Sequence, residues 1–133
     1  MAIKLARNRL NTDHSAQNNL EGFVSNGSDW SETLTIVDED GDQVTGVGSD
    51  EWRMQFRPAE LDTAATLTLT TTDSTLTITV GTTTTLAIAC PQASLTNLIG
   101  DYIVDIVSKA ASDDALTHRA HGVVTFRNAP LAF

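Results

Sequence analysis

The stretch Asp29-Trp30-Ser31-Glu32-Thr33-Leu34-Thr35-Ile36-Val37, then Asp38-Glu39-Asp40-Gly41-Asp42, and after a short polar link Glu51-Trp52-Arg53-Met54-Gln55-Phe56-Arg57, decides the fold. Trp30, Leu34 and Ile36 share one face of a period-two pattern, and Trp52, Met54 and Phe56 share another. Alternation of this kind describes half-buried strands with polar outer faces. The acidic run between them, built on Asp40-Gly41, reads as a solvated hairpin turn.

Working outward, the same pattern repeats. Leu67 and Leu69 alternate in residues 66–71, Leu76, Ile78 and Val80 in 75–80, and Leu86, Ile88 and Cys90 in 85–90. The abundant threonines belong to these strands, because a β-branched residue favours extended backbone and supplies a polar outer face. Thr72-Asp73-Ser74 suits a tight hairpin. Residues 91–100 break the alternation: Ser94 is positioned to cap one helical turn carrying Leu95 and Leu98, with Gly100 ending it. Residues 101–108 and 116–126 are the last two strands, joined by Ala111-Ser112-Asp113-Asp114, and on the final one Leu116, His118, Ala120, Gly122, Val124 and Phe126 fall on one face. About seven short strands separated by turns predict an all-β fold, an immunoglobulin-like β-sandwich over residues 28–133. The Cys…Trp…Cys hallmark of antibody domains is missing, so the expectation concerns architecture alone. Residues 1–27 are polar and without sustained period, which predicts an extended N-terminal arm.

A chain of 133 residues suits one domain with its own core. Its 17 acidic and 8 basic residues give a net charge of −9, which opposes general affinity for nucleic acid or anionic lipid. The basic tip Lys4, Arg7 and Arg9 is a local exception. Together with Ile3, Leu5, Leu10 and Phe23 it makes the arm a candidate partner-binding element, laying apolar side chains into a neighbour's grooves while its cations meet carboxylates. A single cysteine, Cys90, allows no internal disulfide and sits in core phase. The sequence shows neither an apolar run of membrane-spanning length nor a secretory signal, so synthesis in the cytoplasm is the expectation.

Three segments resemble small virion structural proteins of tailed bacteriophages, similar to the N-terminal domain of phage baseplate upper proteins. They are the Trp30 strand with its Asp38–Asp42 turn, the run Trp52-Arg53-Met54-Gln55-Phe56-Arg57, and Leu98-Ile99-Gly100-Asp101-Tyr102 ahead of a closing hairpin that ends Val123-Val124-Thr125-Phe126. The resemblance covers most of residues 29–126. It implies a structural or adaptor subunit located in the virion, without catalysis or cofactor, present in several copies and bound to capsid or tail proteins.

Other chemistry is weakly signalled. The acidic turn places Asp at alternate positions like the start of a Ca²⁺ loop, but Gly41 comes too early and Ser49 stands where the bidentate Glu belongs, so no metal site is expected there. His118 and His121, three apart on a strand, should point to opposite faces and fail to chelate together. No phosphate loop, nucleophile elbow or carboxylate pair stands out, and no catalytic residues are expected. A carbohydrate-binding module of the same architecture is the alternative function, and it would need exposed aromatic rings, which the core phase of Trp30 and Trp52 does not offer.

Overall fold

The structure is a computed structural model and describes residues 19–38, 40–58 and 64–128, with side chains from residue 22 onward. Among the described residues, eight strands form two sheets: β1 (Asn19–Ser25), β2 (Trp30–Thr35), β3 (Glu51–Arg57), β4 (Leu67–Thr70), β5 (Leu76–Val80), β6 (Thr84–Cys90), β7 (Gly100–Lys109) and β8 (Leu116–Arg127). One sheet runs β1-β8-β7-β3-β4 and the other β2-β6-β5. Apart from β1, which pairs parallel with β8, every pairing is antiparallel.

This strand order is that of an immunoglobulin-like sandwich: β2, β6 and β5 take the places of strands B, E and D, and β8, β7, β3 and β4 those of G, F, C and C′. Where antibody domains carry their second cysteine, two residues after a tyrosine on strand F, this chain has Val104 after Tyr102. Val104 is fully buried, so an apolar side chain stands where that cysteine would be.

The core follows from the alternation. Trp30, Leu34 and Ile36 from the smaller sheet face Trp52, Met54 and Phe56 from the larger, all buried. Trp30, Phe56 and Phe126 meet edge to face with centroids 5.7–6.2 Å apart, and Tyr102 adds an edge contact to Phe126 at 5.4 Å. Such pairs add to plain area burial because a ring's positive edge meets a negative face. Leu67 and Ile78, expected in the core, are only partly buried against it. A 3-10 turn at Gln92–Ser94 leads into Leu95 and Leu98, both buried. It starts after Pro91, earlier than Ser94 predicts, and Asp29 accepts a hydrogen bond from the Gln92 amide at 2.8 Å.

Four sequence expectations are corrected. Residues 19–25, placed in the arm by their weak period, form β1, with Val24 buried and Asn26 tied to Arg127 O and Leu98 O. Glycine at position 22 leaves a gap in the alternation, which is why the strand is hard to see. Thr72-Asp73-Ser74 is not a hairpin within one sheet, since β4 belongs to one sheet and β5 to the other. Asp73 accepts from both the amide and hydroxyl of Thr75, which turns the chain sharply and holds that carboxyl below its usual pKa. The acidic turn likewise lies on a crossing between sheets, from β2 to β3, closed by a Val37–Gln43 bridge.

The fourth correction lies in β8. Ile106 pairs with Ala120 but Val107 pairs with His118, so Arg119 is an extra residue, a β-bulge. Period-two counting breaks there. Ala120, Val124 and Phe126 keep the inward phase, whereas Leu116 and His118 turn outward, leaving Leu116 71% exposed. Arg119 turns in at the sandwich end, its guanidinium 5.4 Å from the Trp52 ring and its Nε donating to Ser108 Oγ at 2.9 Å.

Candidate functional site

The bulge builds the most distinctive surface of the molecule, the outer face of the five-stranded sheet. Because one residue is inserted between them, His118 and His121 project from the same face and not from opposite ones. Their rings stack with centroids 5.5 Å apart and planes 27° from parallel. His118 Nε2 lies 3.4 Å from Asp105 Oδ1, and Arg57 donates to Asp105 Oδ2 at 2.6 Å. Asp105 therefore links β3, β7 and β8 across the sheet.

Beside this cluster is a shallow groove of about 260 Å³ lined by Glu51, Arg53, Gln55, Val107, Lys109 and Leu116. Glu51 meets Lys109 at 3.5 Å and Arg53 at 3.4 Å. These cations, Lys109 foremost, hold its carboxyl below the usual range. Further along the face, Thr125 donates to Asp101 at 2.6 Å, Val123 is 45% exposed, and the Arg127 guanidinium lies 3.8 Å from the Phe23 ring centroid. The result is a sheet face with apolar side chains among paired charges.

Of the arm residues expected to bind a partner, Phe23 is the one among the described residues: it is half-buried on the outer side of β1, under Arg127. Ile3, Lys4, Leu5, Arg7, Arg9 and Leu10 lie outside the described residues. Nothing in the sequence marks the bulge, so the convergence of His118, His121 and Asp105 is found only in the structure.

The acidic turn brings the carboxylate oxygens of Asp38, Asp40 and Asp42 within 4.8 Å of one another, all exposed. Asp38 Oδ1 accepts from the amides of Asp40 and Asp42, both at 2.9 Å, and Gly41 takes φ +84, open to a residue without Cβ. The backbone thus uses the Asp38 carboxylate to shape the turn. Cys90 is buried, and burial pushes its thiol up to about 11, which keeps it protonated and unreactive at neutral pH. Trp30 and Trp52 are both buried, so neither presents a ring on which a sugar could stack. No described helix is long and apolar enough to cross a membrane.

The architecture and this face define the class, an immunoglobulin-like β-sandwich. No protein-family model matches the chain, and no curated protein matches it. Among solved structures, it is similar to the NK cell receptor NKp44, described as a triggering partner in natural cytotoxicity, with 15% identity over 84% of this chain and 98% of that one. The TM-score is 0.39, and this likeness carries no functional argument.

Proposed function

We propose that the chain is a structural subunit of a tailed-phage virion, a non-enzymatic adaptor or decoration protein that binds neighbouring capsid or tail proteins through residues of its N-terminal segment and through its sandwich surface. The observation that supports binding is the outer face of the five-stranded sheet, where Leu116 and Val123 stand exposed among ion-paired side chains. Apolar side chains rimmed by polar ones are what a protein contact desolvates first. The sequence resemblance in the Trp30, Trp52 and Tyr102 segments supplies the phage context.

Mass spectrometry of purified particles from the encoding phage tests the proposal. The chain is expected at a fixed copy number, and a variant lacking residues 1–18 is expected to fold but to be lost from particles. Absence of the full chain from particles would overturn the virion assignment. Normal incorporation of the shortened one would move the contacts entirely to the sandwich.

A further inference from the structure

Charge is distributed unequally over this acidic protein. Among the described residues, the outer face of the five-stranded sheet holds Arg53, Arg57, Lys109 and Arg127, and Arg119 at the bulge is the only other Lys or Arg. Among the residues whose side chains are described, the carboxylates of this face are Glu51, Asp101 and Asp105, and each is engaged: Glu51 with Lys109 and Arg53, Asp105 with Arg57, Asp101 with Thr125. Elsewhere acid dominates, in the Asp38–Asp42 turn, at Asp113 and Asp114 of the β7–β8 loop, and at Asp29, Glu32, Asp50 and Asp73. The face is close to electroneutral while the remainder is strongly negative.

The same neutral face carries Leu116 and Val123, two of the four large apolar side chains that stand exposed among the described residues, with Ile103 and Val107 half-buried between them. The other two, Val80 and Ile99, lie apart from it, on β5 and in the loop before β7. Five strands at a spacing of about 4.8 Å and roughly seven residues of length make a patch of ~20 by ~25 Å, enough for a small isologous contact.

We propose that this face is where a second copy of the chain docks, face to face about a two-fold axis. The acidic turns and loops meet like charge in an approaching copy, and the outer face of the smaller sheet, built of serine, threonine and alanine, is uncharged but offers, among the described residues, no exposed large apolar side chain to remove from water. On the five-stranded sheet a copy meets balanced charge whose ion pairs can be shared across the axis, with Leu116 and Val123 of both copies removed from water. A strongly acidic partner would instead require an excess of positive charge, which the paired side chains do not supply. The inference deepens the virion proposal by naming the surface through which copies associate, and rests on that reading only for its biological setting.

Sedimentation velocity on the full chain from about 10 µM to about 1 mM tests it, a range matched to weak association. A monomer–dimer equilibrium is expected. Because the acidic remainder of each copy repels, raising NaCl from about 50 to about 500 mM should tighten it at least threefold or so. Leu116→Asp and Val123→Asp, both exposed and so compatible with folding, should each weaken it at least about tenfold, since two like charges meet at the axis. Val80→Asp on the other sheet should leave it unchanged, and circular dichroism checks that all variants keep β structure. A monomer throughout, or dimerisation indifferent to Leu116→Asp and Val123→Asp, would overturn the inference. Salt that loosens the dimer would also overturn it, in favour of an acidic segment seated on the cations. A chain that is monomeric in solution yet incorporated in particles sinks this inference and spares the virion proposal. One that dimerises through the face but is absent from particles does the reverse.

Discussion

The outer surfaces of the two sheets are built from different materials. On the smaller sheet, strands β2, β5 and β6 turn Ser31, Thr33, Thr77, Thr79, Ala87 and Ala89 outward, short side chains typical of a plain solvated β surface. On the larger sheet, long charged side chains lie in ion pairs between exposed leucine and valine, and a bulge brings two histidines side by side. The inner surfaces, by contrast, are alike, both dense with aromatic and aliphatic groups. Packing treats the two sheets as equals, and only the outside distinguishes the one suited to contact.

The comparison breaks first if the common core is cut. Trp52→Ala should cost about 3–5 kcal/mol, read from urea or thermal unfolding, since a fully buried ring is removed and Arg119 loses its π face. Next comes the edge of the larger sheet. Deleting residues 1–27 removes β1 with buried Val24 and Asn26, and should cost about 2–3 kcal/mol, whereas deleting 1–18 should leave unfolding nearly unchanged. Equal effects of the two deletions would show that β1 adds little to the sheet.

Arg119→Ala sharpens the role of the bulge. It should lose about 1–2 kcal/mol, from the contact with Trp52 and the hydrogen bond to Ser108, with no rearrangement of the β7–β8 pairing by amide exchange.

A smaller effect lies on the smaller sheet. Glu32 shares the inward phase of Trp30 and Leu34, and partial burial raises its pKa. A carboxyl whose pKa is raised on folding destabilises the fold when ionised, and the cost fades as pH falls through the folded value. Glu32→Gln should therefore raise Tm by on the order of one or two degrees at pH 7 and by nothing near pH 3. An unchanged Tm at both would place the carboxylate in full solvation. The least effect is expected from metal: millimolar Ca²⁺ or a chelator should leave Tm in place, because the turn already uses Asp38 for its own amides and lacks a bidentate Glu.

Alternation made the faces of β3, β6 and most of β7 readable, because each residue there keeps phase with its neighbours. It could not say which strand pairs with which. The links after Val37 and Thr71 therefore read as hairpins, although each crosses between sheets. Nor could it register an inserted residue. One extra position at Arg119 reversed the phase of Leu116 and His118, and with them the whole character of the outer face. The N-terminal strand escaped for a different reason: at an edge, with glycine in the middle of its inward row, it shows almost no hydrophobic period.

The pairing of β1 with β8 has a consequence for the order of folding. The register joins Asn19 to His121 and Ser25 to Arg127, so β1 lacks this pairing until β8 exists. About a hundred residues of chain must be closed into a loop before those hydrogen bonds form, a slow step in any folding scheme governed by sequence separation. During synthesis β1 therefore waits as a single extended segment while β2, β5 and β6 can already assemble. Its docking then registers that β8 has arrived.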